Sequence, residues 1–301
     1  MAATEREYLV KNVIDTHIHL SHHYSGGLPN TWHPQEAESF RRDWTLDDFR
    51  KSTQTARFQI SHAIFVECAN QPALEEAKWV LRLMDEVDSP IVGLVANICA
   101  QKGAAEVSRF LDSLRDADGL LPKGLKGARY VFMMWENQAD DACLDASFLE
   151  GLEALCKAGL LWEFCCEPRM APFLSSCIAK VPHMTFVVDH LAHNGNRGGD
   201  METWGPAMDS LGKLPNVYVK LGATEQWDVP NPEAFLDRAI QAIGFDRLLY
   251  ESNWFVNEAM GDSYDRSAGL VYEACKRAGA SETDLCKVFH DNACKVYQLD
   301  V

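Results

Sequence analysis

Long apolar runs are missing from this chain of 301 residues, in which no stretch approaches the ~20 residues of a membrane-spanning helix. The start, Met-Ala-Ala-Thr-Glu-Arg-Glu, lacks the basic and then apolar pattern of a secretion signal. The ten cysteines never stand in a Cys-X-X-Cys spacing, and none of them is singled out as reactive. These absences predict a cytoplasmic protein whose cysteines are small buried apolar side chains in a reducing compartment.

Positive charge is also scarce. The chain has 28 lysine and arginine residues against 44 aspartate and glutamate residues, a formal net charge of −16. No basic stripe offsets this charge, so a phosphate backbone is not an expected partner. The sequence has no linker rich in Pro, Gly or Ser, which predicts one domain over residues 1–301. A small-molecule ligand is expected, and the sequence leaves a homo-oligomer open.

Short β-branched apolar runs alternate with longer amphipathic stretches along the chain. The predicted strands are Val13–His17, His62–Ala69, Ile91–Asn97, Lys126–Phe132, Leu160–Cys165, Met184–His190, Asn216–Leu221 and Arg247–Asn253. The predicted helices between them include Pro72–Val87, Ala104–Arg115, Ala146–Ala158, Pro232–Ile243 and Ser263–Ala278. Eight βα repeats favour an α/β fold that closes into a (β/α)8 TIM barrel. A doubly wound sheet is the alternative, but no Gly-X-Gly-X-X-Gly follows an early strand.

The segment Asp15-Thr16-His17-Ile18-His19 ends the first predicted strand. Alternate side chains of a strand share a face, so His17 and His19 point the same way. Two imidazoles on one strand end are typical of a metal site or an acid–base site. The same spacing also occurs in loops without function.

Further polar side chains recur at the predicted strand ends, where a barrel builds its active site. They are Glu67, Arg129, Glu163, Asp189, His190, Lys220, Glu251 and Asn253. Inward polar groups are costly unless they are paired or functional, so their convergence indicates a site. Asp189 is expected to point away from His190 and to be structural. The long connections 20–44 and 191–205 follow strands, and the first is either a lid or a loop packed on outer helices.

Several motifs together give the chain a resemblance to a known family. They are Val13-Ile-Asp-Thr-His-Ile-His19, Gly124-Leu-Lys-Gly-Ala-Arg129, Phe186-Val-Val-Asp-His190, Asn216-Val-Tyr-Val-Lys220, Phe245-Asp-Arg-Leu-Leu-Tyr-Glu-Ser-Asn-Trp254 and Asp291-Asn-Ala-Cys-Lys-Val-Tyr297. With these motifs in this order, the chain resembles the amidohydrolase superfamily, in particular the branch that includes lactonases for pyrone dicarboxylates and sugar lactones. The resemblance implies a distorted (β/α)8 barrel with hydrolase activity.

The resemblance places the first-strand His-X-His on His17 and His19 and the sixth-strand histidine on His190. The eighth-strand aspartate of the family falls on Asn253, a departure from the pattern. A neutral amide cannot take a proton from attacking water. A zinc or manganese ion would be held by His17 and His19 with Glu163 or His190. Some lactonases of this branch use no metal, and Asn253 favours a weakly held ion or none.

The resemblance and the residues together predict opening of a small, carboxylated cyclic ester, a lactone. The expected catalytic residues are His17, His19, His190, Asn253 and Glu251, with Glu251, Glu67 or Glu163 as the base.

The expected substrate-binding residues are Arg129, Lys220, Glu67 and Trp254, where the two cations would hold an anion. Alternatively, the cations form internal salt bridges and Trp254 packs the turn after the strand. Two other functions remain open: a metal-dependent decarboxylase or lyase, and a non-catalytic binding barrel.

Overall fold

The computed structural model describes residues 7–22, 24–25, 27–28, 38–132, 135–167, 169–192, 201–224 and 231–301. Parts of the two long connections, including Trp32, His33 and residues 193–200, lie outside the described residues. Within the described part of the chain, no helix is both long and apolar enough to cross a membrane.

The eight strands form one parallel sheet in the order β1 to β8, which confirms the predicted barrel. They are β1 (Val10–Ile18), β2 (Phe58–Val66), β3 (Ile91–Asn97), β4 (Leu125–Arg129), β5 (Leu161–Phe164), β6 (Phe186–Val188), β7 (Val217–Gly222) and β8 (Leu248–Glu251). Strand β6 is shorter than predicted because His190 and Leu191 adopt left-handed backbone angles, with φ of 50° and 56°.

Helices follow the strands on the outside of the barrel. They are α1 (Leu46–Gln54), α2 (Ala73–Met84), α3 (Ala104–Asp112), α4 (Ala146–Lys157), α5 (Ala171–Ile178), α6 (Met201–Gly212), α7 (Pro232–Ile243), α8 (Val256–Ala259), α9 (Tyr264–Arg277), α10 (Glu282–Cys286) and α11 (Asn292–Tyr297). A π-helical turn, Lys287–Asp291, joins the last two. Helix α1 begins where the hydroxyl of Thr45 accepts a hydrogen bond from the N–H of Asp48, whose carboxylate binds back to Thr45 N–H.

Two apolar layers enclose the strands. The larger layer lies between barrel and helices and includes Phe58, Trp162 and Phe186. The smaller layer, here called the barrel floor, fills the interior; its buried strand residues are Ile14, Ile64, Val66, Val95, Leu161, Val187, Tyr218 and Leu249. Helix α11 adds Ala293, Val296 and Tyr297 to this floor.

Strands β1 and β8 meet where the barrel closes. The N–H of His19 donates to the carbonyl of Trp254 at 2.5 Å, and the hydroxyl of Thr16 donates to the carbonyl of Tyr250 at 2.7 Å. The carboxylate of Asp15 accepts a 2.5 Å hydrogen bond from the hydroxyl of Ser252. The closure therefore fixes His19 against the eighth strand.

Candidate active site

A polar layer stands directly above the barrel floor. Alternate side chains of a strand point to the same face, so the residue two positions after an inward-pointing floor residue also points inward. This spacing brings four charged side chains into the interior: Glu163, Asp189, Lys220 and Glu251. With the side chains that complete it, the layer comprises His17, Glu67, Asn97, Arg129, Glu163, Asp189, Lys220 and Glu251, each at most 3% exposed. The predicted strand-end side chains therefore converge.

Arg129 ties one half of this layer together. Its Nε donates to Glu67 Oε1 at 2.9 Å, one terminal nitrogen to Asp189 Oδ2 at 3.0 Å, and the other to the carbonyl of Glu67 at 2.6 Å. The nitrogen bonded to Asp189 also lies 3.2 Å from Nε2 of His17. Burial opposes the charge of Arg129, but Glu67 and Asp189 raise its pKa well above the usual range.

Lys220 ties the other half. Its Nζ lies 2.6 Å from Glu163 Oε2, 3.0 Å from Asp189 Oδ1 and 3.1 Å from Nδ1 of His17. Both cations thus make internal salt bridges. Burial raises the pKa of Glu163 to about 8, although Lys220 and Tyr297 lower it. The Tyr297 hydroxyl donates to Glu163 at 2.5 Å and links the polar layer to helix α11.

His17 and His19 form a close pair, with their Nε2 atoms 3.2 Å apart. Nδ1 of His19 lies 2.9 Å from the carbonyl of Val66, which only accepts, so Nδ1 carries the proton and Nε2 presents a lone pair. Burial and the charge of Lys220 lower the pKa of His17 to about 4. Burial and the neighbouring His17 and Arg129 lower the pKa of His19 well below its usual value. Both imidazoles are neutral at pH 7.

His190 has the opposite protonation state. Its left-handed backbone presents both the N–H and Nδ1 to Glu251 Oε1, each at 3.0 Å. Burial lowers the pKa of His190, but the Glu251 carboxylate and a hydrogen bond with Cys165 outweigh it and raise the pKa to about 10. Burial raises the pKa of Glu251, but His190 and His17 lower it to about 2. An imidazolium therefore lies beside neutral His17, with ring centroids 4.6 Å apart.

Two members of the site differ from what the sequence predicts. Asp189 was expected to point away and to be structural, but it bonds both site cations and lies 3.7 Å from His17. Cys165 joins the site at the end of β5, where its sulfur and one atom each of Asp189 and His190 lie within 4.8 Å of one another. Counting alternate positions from Val187 and from Leu161 would have identified both.

Asn253 and Trp254 follow β8. Asn253 is buried in a left-handed conformation with φ of 57°, and no described residue hydrogen-bonds its side-chain oxygen. Trp254 donates from its ring nitrogen to Ser52 at 3.2 Å and packs edge to face on Trp44 and Phe49. These contacts correspond to the packing alternative for Trp254.

The donor atoms around His17 and His19 decide whether a metal ion fits. The facing Nε2 lone pairs of His17 and His19 suit one ion, and three-residue groups such as His17, His190 and Glu251 lie within 4.8 Å. However, Arg129 approaches the same Nε2 of His17, and Lys220 approaches its Nδ1. Nearby carboxylates are already bonded to these cations or to His190. The described donor set therefore does not fit a firmly held divalent ion.

Comparison with known proteins decides the family. The sequence profile described as "Amidohydrolase" matches residues 14–299. The chain belongs to the amidohydrolase family. This confirms the resemblance seen in the motifs, and it agrees with the barrel.

Among curated relatives of this amidohydrolase, an L-fucono-1,5-lactonase from Burkholderia multivorans is 28% identical over 52% of this chain and 57% of that protein. An L-rhamnono-gamma-lactonase from Scheffersomyces stipitis is 19% identical over 95% of this chain and 98% of that protein. The chain thus matches only about half the length of the fucono-lactonase. An uncharacterized protein from Sinorhizobium fredii is 27% identical, and the match covers 39% of this chain and 40% of that protein.

Solved structures share the fold of this amidohydrolase. An amidohydrolase from Burkholderia multivorans with bound zinc has a TM-score of 0.78 at 21% identity, covering 96% of this chain and 99% of that one. A probable 2-pyrone-4,6-dicarboxylic acid hydrolase from Acinetobacter baumannii with bound citric acid has a TM-score of 0.72 at 14% identity, covering 96% and 100%. A 2,6-dihydroxybenzoate decarboxylase from Rhizobium has a TM-score of 0.59 at 12% identity, covering 97% and 100%.

Proposed function

We propose that this amidohydrolase, as one domain over residues 1–301, hydrolyses a small cyclic ester at the C-terminal mouth of its barrel. The observation that carries the proposal is the imidazolium of His190, held by Glu251 beside the neutral pair His17 and His19. Ester hydrolysis needs positive charge where the carbonyl oxygen becomes negative and a proton for the leaving oxygen. The lactonase names of two relatives support the same reaction class.

His190 is assigned to proton donation and to stabilising negative charge on the carbonyl oxygen. The pKa values of His17 and His19 are too low for either imidazole to be charged at pH 7. Both side chains therefore line the site as neutral hydrogen-bonding groups. Asn253 offers an unpartnered, buried amide oxygen to a substrate hydroxyl. Each of these groups is held by neighbours on other strands, which keeps the site preorganised.

None of the three expected carboxylates is a free base. Glu251 has a pKa of about 2 and holds His190, so it binds protons weakly. Glu163, with a pKa of about 8, is mostly protonated at pH 7 and bonded to Lys220. Glu67 is occupied by Arg129, Asn97 and the N–H of Ala69. The hydrolysis therefore needs another nucleophile or base.

The charges favour a neutral lactone over the carboxylated one expected from the sequence. Arg129, Lys220 and His190 are balanced by Glu67, Asp189 and Glu251, and every one of these six groups is in an ion pair. A substrate carboxylate would have to displace a buried internal partner, which is costly. We therefore assign Arg129, Lys220 and Glu67 to holding the site, and we propose a hydroxylated, sugar-type lactone.

A metal is not part of the proposed reaction, because the described donors do not fit one firmly. If zinc or manganese bound, His17 and His19 with His190 or Glu163 would hold it. The ion would polarise a carbonyl. The decarboxylase alternative depends on such an ion and is correspondingly weaker. The cytoplasmic location remains a prediction.

The test is a panel of L-fucono-1,5-lactone, L-rhamnono-1,4-lactone and 2-pyrone-4,6-dicarboxylate, with acid release followed by a pH indicator. We expect turnover of a sugar lactone that His19→Ala and His190→Ala each reduce by about 100-fold or more. His62→Ala is the matched control, because His62 contacts Ser61 on β2, outside the site. Binding without turnover across the panel would instead support the binding barrel.

A further inference from the structure

We propose that a cavity beneath the barrel floor is a second ligand site, which binds a small organic carboxylate with an apolar body. The cavity has a volume of about 360 Å³ and opens at the N-terminal ends of β4, β5 and β6, opposite the mouth of the barrel. Pockets of this size are typical of small-molecule sites. The site does not depend on the lactone reaction.

The barrel floor separates this cavity from the active site. Leu161, Val296 and Tyr297 line the cavity and also belong to the floor. On the other side of the floor, the Tyr297 hydroxyl donates to Glu163 at 2.5 Å. An occupant of the cavity would therefore lie below the floor, and it would not compete directly with a substrate at the mouth.

The lining of the cavity is cationic, although the chain as a whole carries a formal net charge of −16. Lys123, Lys126 and His183 line the cavity, whereas no aspartate or glutamate among the described residues does. Neither lysine forms a salt bridge with a carboxylate in the part of the chain that the structure describes. An anion in the cavity would therefore meet positive charge that no adjacent carboxylate neutralises.

Lys126 is the side chain best placed to hold a carboxylate. It is partly buried, and its Nζ donates to the carbonyl of Gln298 at 3.1 Å. An ammonium has three donors, and the described residues bond one of them, so two remain for a ligand. Burial lowers the pKa of Lys126, and Asp300 offsets this shift only in part. A carboxylate bound beside Nζ would favour the charged form of Lys126 and would itself be stabilised.

Apolar side chains form much of the remaining wall. Leu125, Leu160 and Met184 line the cavity and continue into the outer apolar layer. Apolar walls with a few polar groups are the usual composition of a pocket for an organic molecule. Inorganic phosphate would leave these walls uncovered, whereas an apolar body would remove them from water. The expected occupant therefore combines an apolar part with one carboxylate.

The first test uses Cys156, a partly buried cysteine that lines the cavity, as a reporter. Wild-type protein is labelled with N-ethylmaleimide, with and without 2-naphthoate, and peptide mass spectrometry measures the rate at each cysteine. We expect saturable protection of Cys156, because an occupant covers its thiol. Cys286, which is exposed on α10 and outside the cavity, should label at an unchanged rate.

The uncharged alcohol 2-naphthylmethanol keeps the rings and lacks the carboxylate. It should protect Cys156 at least about 10-fold more weakly than 2-naphthoate, because charge-assisted hydrogen bonds are lost. Equal protection by the alcohol would overturn the anion preference. An unprotected Cys156 at about 10 mM 2-naphthoate would overturn the site itself.

The second test measures the affinity for 2-naphthoate by isothermal titration calorimetry, which does not depend on thiol reactivity. Lys123→Met/Lys126→Met should weaken binding by about 10-fold or more. Lys102→Met/Lys213→Met is the matched control, because it removes the same charge from two exposed lysines outside the cavity, and it should bind as wild type does. Absence of binding to wild type at about 10 mM, or binding that the first double variant retains within about 3-fold, would overturn the proposal.

Discussion

Glu251 accepts two hydrogen bonds from His190, one from its backbone N–H and one from Nδ1, both 3.0 Å long. The other oxygen of the same carboxylate lies 3.1 Å from Nδ1 of His17. The buried carboxylate of Glu251 on β8 thus sets the protonation of His190, which follows β6. The same carboxylate also contacts His17 on β1. This relationship leads to the first prediction.

Glu251→Gln should lower the pKa of His190 from about 10 toward the ordinary 6.5, since the main charge that raises it is removed. A histidine proton resonance followed against pH measures this shift. We expect kcat to fall by about 100-fold at pH 7, because the proton donor is then neutral. An unchanged pKa of His190 would contradict the assigned contact.

The same pair makes stability depend on pH. The raised pKa of His190 contributes stability that is complete below 6.5 and is lost as pH rises through about 10. The lowered pKa of Glu251 contributes stability that is complete above 4.5 and is lost as pH falls through about 2. Urea unfolding should therefore show a larger loss in Glu251→Gln at about pH 5.5 than at about pH 10.5.

Lys220→Met should destabilise the fold by about 3 to 5 kcal/mol, because it removes the cation that bonds Glu163 and one of the two cations that bond Asp189. The double variant Lys220→Met/Glu163→Gln should recover part of that loss, since one uncompensated carboxyl is removed. Urea unfolding of the two single variants and the double variant measures the coupling. Strictly additive losses would show that the 2.6 Å contact has no energetic weight.

Metal removal should leave the activity unchanged. Protein purified without chelator should contain well under one zinc or manganese per chain by elemental mass spectrometry, because Arg129 and Lys220 already flank His17. Asn253→Asp, which restores the eighth-strand carboxylate expected from the family resemblance, should retain more zinc than wild type. Stoichiometric zinc in wild type, with activity lost to a chelator, would restore the metal-dependent mechanism.

Two glycines in outer helices form a matched pair for packing. A Cβ at Gly151 in α4 would lie 2.1 Å from the carbonyl oxygen of Ala100, whereas at Gly205 in α6 the nearest atom is 3.7 Å away. Gly151→Ala should cost about 1 to 3 kcal/mol of unfolding free energy through overpacking. Gly205→Ala should stabilise by up to about 1 kcal/mol through helix propensity. Thermal unfolding of both variants is the measurement.

The strand pattern predicted the barrel because parallel strands buried on both faces leave near-continuous apolar runs. Helix Pro232–Ile243 was predicted to the residue, since Asn231 caps it and Gly244 ends it. Strand β6 ends earlier than the sequence pattern predicts, because His190 and Leu191 adopt left-handed backbone angles although neither is a glycine. Such a conformation is imposed by tertiary contacts and leaves no local signal.

The sequence predicted which residues belong to the site better than it predicted which of them bond to each other. The strand-end positions predicted a common site for seven residues that are all buried in the structure: His17, His19, Arg129, Glu163, His190, Lys220 and Glu251. Their hydrogen-bond partners depend on the distances between strands that face each other across the barrel. The residue pattern along the chain does not reveal these distances. Composition does not distinguish Cys165, because a cysteine in an apolar strand looks like a core residue whichever way its side chain points.

Asp189 bonds Arg129 with one oxygen and Lys220 with the other, so a single carboxylate balances cations from β4 and β7. A substitution at any one of these positions leaves a charge unmatched in the other two. Natural relatives that depart from this pattern should therefore change the three positions jointly, and the trio should behave as one inherited unit when family members are sorted by substrate.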